Sequence, residues 1–276
     1  MDQSLAPEGE SLKTILGRYV ARGLVYDLGQ PFQRGMPLSP LNPPFFFTLS
    51  NRHGDRVTAQ GVSVANDFIS TGSHVGTHID ALGHVSRDGK VYGAIDVSDA
   101  QKGGAGLQAG GIEAVPPIIR RGVLLDIALL KKLDCLPPSF AIGAGDLERA
   151  SGAQGTSIEP GDAVLVRTGW ARNWTDAAIY PGQAAGAPGV DDGGALWLAE
   201  KRPSVVGADT MGFEVRPTPN FPSVHGILLA DHGIHIMENL FLEELSRDGC
   251  FTFVLIVLPL KIVGGTASPV RPIALA

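Results

Sequence analysis

Short apolar runs, set between stretches rich in glycine and proline, dominate the hydrophobic pattern of this chain. Residues 122–130 (GVLLDIALL), 161–167 (GDAVLVR), 204–208 and 251–257 are rich in Val, Leu and Ile and bounded by turn residues, which predicts buried strands. Residues 24–28 and 270–275 predict two more, the last at an edge because Pro272 cannot donate to a ladder. Residues 225–240 read as a short helix followed by a strand. Helical signals are fewer. Apolar positions at helical spacing over 11–21, with Ser11 as N-cap, predict a peripheral N-terminal helix, and 194–201 and 243–247 predict two short ones. Loops are expected over 31–44, which holds five prolines, and over 102–117 and 181–193. Phe45, Phe46 and Phe47 follow the first loop; three consecutive aromatics cannot all face one core from a strand, so one or two are candidates for a pocket or subunit interface. There is no internal repeat. The predicted class is α/β or α+β, with a mixed, barrel-like β core and short peripheral helices.

Composition narrows the class of function. At 276 residues the chain is one large domain or two small ones, and 44% hydrophobic against 18% charged residues is enough to fill a core. A net charge of −6 offers no basic surface to track a phosphate backbone, so nucleic acid is not an expected partner. Two cysteines, Cys135 and Cys250, are too few for a disulfide framework and suit a reducing compartment. The most apolar run, 250–260, is too short to cross a membrane and carries Thr252 and Pro259. Residues 1–10 lack the basic and apolar regions of a secretion signal, so the expectation is a cytoplasmic protein with no membrane partner.

The chemistry concentrates in residues 73–84, SHVGTHIDALGH. Three of the seven histidines fall within eleven residues, with an aspartate among them. Positions 74, 78, 80 and 84 share parity, so an extended chain sets His74, His78 and Asp80 on one face with His84 continuing the line. A helix would turn Asp80 away, and Val75, Gly76, Thr77 and Ile79 disfavour one. Two imidazoles and a carboxylate on one face suit Zn²⁺, Mn²⁺ or Fe²⁺; structural histidines in a buried strand are the plainer alternative. Gly76 suggests a bulge or a close backbone approach. Farther along, Glu238 lies in an apolar stretch, either as a buried group that a metal would partner or at an exposed edge. Asp209, at a strand end, feeds a site or caps a turn. His232 and His235 read as non-ligands, with nothing fixing them to the first cluster. Trp170, Trp174 and Phe213 are substrate contacts or ordinary core, and Arg167 binds a carboxylate or is exposed.

The pattern His74-x-Gly76-Thr77-His78-x-Asp80-x-x-x-His84 resembles the H-x-G-T-H-x-D-x-x-x-H signature of the cyclase family of metal-dependent hydrolases, which includes kynurenine formamidase and isatin hydrolase. HGILL from residue 225, IMENL over 236–240 and GTASPVR over 265–271 are similar to later family blocks, so the resemblance spans 22–276. It implies a swivelling β/β/α single domain over 22–276 behind a helical extension over 1–21, assembled as a homodimer or homotetramer. It also implies that His74, His78 and Asp80 hold a first metal, that His225 and Glu238 hold a second with Asp80 bridging, and that His84 is the general acid/base. Leu82 stands where the family often has proline. The insertions at 102–117 and 181–193 resemble the isatin-hydrolase type, whereas Glu238 matches the formamidase type. The expected activity is hydrolysis of an amide C–N bond, other than a peptide bond, in a small cyclic amide or aryl formamide by metal-activated water, with one or two Zn²⁺ or Mn²⁺ per chain. A lactone or other cyclic ester is the second substrate class. Two other classes compete. A non-haem Fe(II) oxygenase would use His78, Asp80 and His225 but leave His74, Gly76, Thr77 and His84 idle. A non-catalytic metal protein would have a coordinatively closed site.

Overall fold

Both faces of the central strands are apolar, and the computed structural model, which describes residues 12–20, 22–218 and 222–276, buries both. Among the described residues, nine strands form one curled, half-barrel sheet. In spatial order they are Val25–Asp27, Ile273–Leu275, Thr252–Val257, Ile118–Asp126, Ala163–Arg167, Val205–Ala208, His235–Glu238, His78–Asp80 and Ala267–Pro269. The four from Ile118–Asp126 to His235–Glu238 run parallel; the outer neighbours pair antiparallel. Val123, Leu125, Val164, Val166, Val206 and Ile236 face one side, packed on Leu147 and Ala150 of helix Ala144–Ala153 and on Ala195 and Leu198 of helix Asp192–Lys201. Leu124, Leu165, Val205, Met237, Phe253 and Leu255 face the other, with Ile79 and Leu245. Burial on two faces is why these strands read as continuous apolar runs. No helix among the described residues is long and apolar enough to cross a membrane.

Several boundaries differ from the sequence expectation. The strand expected over 122–130 runs Ile118–Asp126, and 127–130 is a helical turn. Asp126 causes the break, since its carboxylate accepts a hydrogen bond from Leu129 N at 2.9 Å and caps the turn. At the other end, Arg121 is accommodated in the strand by Asp162, with Nε 3.0 Å from Oδ1. The segment 270–275 is a strand only over Ile273–Leu275, and it is not at an edge but paired on both sides, because Pro272 falls just outside the ladder; Ala267–Pro269 forms a separate strand beside His78–Asp80. Helix Ala144–Ala153 and a hairpin of Phe46–Asn51 and Asn66–Ser70 had no counterpart in the pattern. In that hairpin Phe46, Leu49, Phe68 and Ile69 are exposed, while Phe45 packs edge-on against Phe32 at 5.7 Å between ring centroids. The N-terminal helix is present as Leu12–Tyr19; its expected cap Ser11 lies outside the described residues, as do 1–10, 21 and 219–221.

The carboxyl ends of the parallel strands lie side by side, where ligands gather in open α/β sheets. Arg167 sits there, buried, and its carboxylate partners are the chain's own. Nη1 is 2.9 Å from Asp126 Oδ1, and Nε and Nη2 are each 2.9 Å from a Glu243 oxygen. Arg167→Ala would strand Asp126 as an uncompensated buried charge. We expect it to lower stability by about 3–5 kcal/mol, read as the shift in urea denaturation.

Candidate metal centre

Strand pairing assembles the site. His78–Asp80 lies between His235–Glu238 and Ala267–Pro269, and the register sets Glu238 opposite His78. The strand is short, so the expected single line of 74, 78, 80 and 84 along one strand does not form. Gly76, at φ +70°, turns the chain before it, and the Phe32 ring occupies the space a Cβ would need there. After it, His84 N donates to Ala81 O at 3.0 Å in a turn, braced by Gly83 N donating to Gly110 O at 2.9 Å. His74 and His84 thus come from loops on either side, and their ring centroids still meet at 4.0 Å. His225 enters from the helical turn Ser223–His225, which opens into a π-helix over Gly226–Asp231. Arg87 holds that helix to the loop after His84, through Ser223 O at 3.1 Å and Asp231 at 2.7 Å.

Two donor groups result, His74, His78 and Asp80, and Asp80, His225 and Glu238; within each, the candidate ligand atoms all lie within 4.8 Å of one another. His74 Nδ1 is 2.8 Å and His78 Nε2 3.6 Å from Asp80 Oδ1, and His225 Nε2 is 3.7 Å from Asp80 Oδ2. Glu238 Oε1 is 3.1 Å from His225 Nε2, and its Oε2 is 3.6 Å from His78 Nε2. Each imidazole has one nitrogen engaged by the protein and the other aimed at a carboxylate. His78 Nδ1 is 2.8 Å from Gly76 O, His225 Nδ1 is 2.6 Å from Glu214 Oε2, and His74 Nε2 is 2.9 Å from Thr266 Oγ1. Such pinning fixes tautomer and ring orientation at metal sites.

Asp80 tests whether a cation fits. It is 1% exposed, yet neither carboxylate oxygen accepts a hydrogen bond of regular geometry among the described residues. A buried carboxylate in that state calls for a cation, and imidazole plus carboxylate is a donor set for divalent ions. The charges around the cluster agree. Burial opposes the charge on Asp80, but His84, His74 and His78 together hold its carboxyl well below the usual range. Burial also opposes the charge on Glu238, and His225 and His78 outweigh it. Burial disfavours the charged form of His225, and its bonds to Glu214 and Glu238 nevertheless hold it well above its ordinary value. His74 is likewise raised, its contact with Asp80 overcoming burial. Those protons neutralise the carboxylates, and a divalent ion would displace them. His84 goes the other way, pushed down to about 4 by burial against the pull of Asp80.

The other candidates fall into place as follows. Glu238 is buried, not at an exposed edge. His235 is tied to the first cluster after all, with Nδ1 2.8 Å from Asp80 O, but through the backbone; His232 is exposed. Trp170, Trp174 and Phe213 are all buried in apolar clusters. Asp209 clamps a turn, accepting from Thr168 N at 2.9 Å, Thr168 Oγ1 at 2.7 Å and Gly169 N at 2.8 Å. Four residues the sequence reading missed support the donors: Glu214, Thr266, Gly212, whose N–H donates to Glu238 Oε2 at 2.9 Å, and Asn239, whose Nδ2 donates to Gly76 O at 2.8 Å. Thr266 and Asn239 lie inside the later blocks already singled out; nothing in spacing marks Glu214 or Gly212.

A half-barrel sheet carrying a buried imidazole–carboxylate cluster makes this a candidate metal centre. A family model described as putative cyclase matches residues 26–215, and the chain belongs to that cyclase family. It is 28% identical over 226 residues to isatin hydrolase of Roseibium aggregatum, covering 79% of this chain and 77% of that protein. To kynurenine formamidase of Sphingopyxis alaskensis it is 24% identical over 256 residues, covering 90% and 96%. A crystal structure of a novel cyclase superposes with a TM-score of 0.86 at 29% identity, covering 97% of this chain and 92% of that one. The two relatives are hydrolases by name, and the donor groups of this chain could hold a divalent ion.

One pH effect follows from the turn clamp below the site. Asp209 is fully buried, and burial raises its carboxyl to about 6 in spite of the Thr168 bonds. A raised carboxyl binds its proton more tightly in the folded chain, so its contribution is full below the unfolded value near 4 and lost as pH rises through about 6. Urea denaturation from pH 4 to 7 should therefore show the stability of the native chain falling relative to Asp209→Asn over that interval.

Proposed function

We propose that the chain hydrolyses the C–N bond of a small cyclic amide or aryl formamide at a two-metal centre, with residues 22–276 as the hydrolase domain. His74, His78 and Asp80 would hold one ion, and Asp80, His225 and Glu238 the other. The donors suit Zn²⁺ and Mn²⁺ alike. The observation that carries this reading is Asp80, a buried carboxylate without regular hydrogen bonds, shared by both donor groups. A facial triad would account for three donors, whereas five converge here. Both named relatives are hydrolases of compounds that fit the class: isatin for one, and a formamide of kynurenine for the other.

Divalent ions held by these residues would supply Lewis acidity, lowering the pKa of water from 15.7 to about 7 and polarising a carbonyl oxygen. The chain's own residues do the rest. Gly76 O, Thr266 and Glu214 keep three imidazoles aimed inward. His84 stands beside the cluster, its ring centroid 6.3 Å from that of His225. As a neutral base it takes a proton from the attacking water, and it returns that proton to the leaving nitrogen, which an amide requires.

Elemental analysis of untagged protein purified without chelator should find two Zn or Mn per chain, and Asp80→Asn should lose both. His84→Ala should keep its metal while kcat towards isatin or an aryl formamide drops by roughly 10²–10⁴-fold. No metal uptake even on reconstitution, or full turnover by His84→Ala, overturns the reading.

A further inference from the structure

We propose that Glu214 is the positioning residue of the second metal position, holding His225 so that its Nε2 faces Asp80 and Glu238. The inference rests on the two-metal reading above and deepens it. Glu214 is 1% exposed, and a single oxygen, Oε2, meets His225 twice, at Nδ1 (2.6 Å) and at the backbone N–H (3.0 Å). Two contacts to one residue fix both the ring and the backbone from which it projects. The other oxygen, Oε1, is buried and accepts no hydrogen bond among the described residues, so no competing donor draws the carboxylate away. With Nδ1–H committed to a carboxylate, the remaining lone pair is on Nε2, and the imidazole becomes a stronger ligand.

The segment carrying Glu214 is built to reach that point. Gly212, at φ +85°, turns the chain directly after the Asp209 clamp, and its N–H holds Glu238. Glu214 then runs beside Val190, with Val190 N donating to Phe213 O at 3.0 Å and Val215 N to Val190 O at 3.1 Å. Gly189 permits this approach, because a Cβ there would lie 2.3 Å from Glu214 C. One short segment, 212–214, thus orients both donors that belong to the second ion alone, His225 and Glu238. The Glu214 contact reaches neither His74 nor His78, whereas the Glu238 oxygen that Gly212 holds is also 3.6 Å from His78 Nε2.

That separation makes the test specific. Zn²⁺ titration with a competing chelator, followed by elemental analysis, is applied to the native chain, Glu214→Gln and Glu214→Ala. The native chain should take two ions. Glu214→Ala should bind the second ion roughly 10–100-fold more weakly and keep the first unchanged. Glu214→Gln retains an acceptor oxygen and should recover part of the loss; it also carries the test should the alanine variant not fold. A purely structural role, such as capping the Ser223–His225 turn, predicts lower stability with no selective loss of one ion. An affinity for each ion that is unchanged across all three proteins, or one lowered alike for both ions, overturns the inference and leaves the two-metal reading standing. Only one ion in the native chain overturns both.

Discussion

The site is organised around one buried charge. Asp80 is removed from water on a strand paired on both sides, and its carboxylate oxygens lack regular hydrogen bonds. Leaving a carboxylate in that state is expensive, so its surroundings must supply positive charge. Imidazoles do so here, His74, His78 and His84 from one stretch of chain and His225 from another. In turn, their orientations depend on Gly76 O, Thr266 and Glu214. The layers of support around Asp80 follow from that electrostatic demand.

The fold meets the demand through backbone turns more than through regular elements. Gly76 at φ +70°, Gly212 at φ +85° and Asn239 at φ +57° each bend the chain beside a donor. Asn239 adopts that conformation without being glycine, and its side chain is tied to Gly76 O while Thr77 Oγ1 donates to the Asn239 carbonyl at 2.7 Å. Left-handed backbone at a non-glycine residue persists where its surroundings hold it, and such positions gather at functional sites. The π-helix after His225 is another irregularity of this kind. Beneath these turns the parallel strands, tied by Arg167 and Asp209, form a stiff base.

Much of this was legible in the chain. The apolar runs located most of the central strands, because burial on both faces leaves an unmistakable signature. The boundaries were less legible. Asp126 ends its strand by capping a turn, a local bond that apolar continuity hides. The hairpin of 46–51 and 66–70 went unnoticed because much of it is exposed and its alternation is weak. For the site, the even-numbered positions 74, 78, 80 and 84 pointed to one cluster for a partly mistaken reason, since two loops and a three-residue strand, not one long strand, bring them together.

By itself the sequence determined the donor types and the family, because His74, His78, Asp80 and His84 are close enough along the chain for spacing to constrain them. The tertiary structure decided how those donors meet residues 130 or more positions away: Glu238 opposite His78 by strand register, and Thr266 on His74 through the neighbouring strand segment. It also revealed Glu214, whose role depends on how the 212–214 segment packs against 189–190 and not on any spacing. Short-range geometry is written in local sequence. Contacts closed by sheet pairing and loop packing depend on the whole chain, and so the orienting groups of the centre appear only once it is folded.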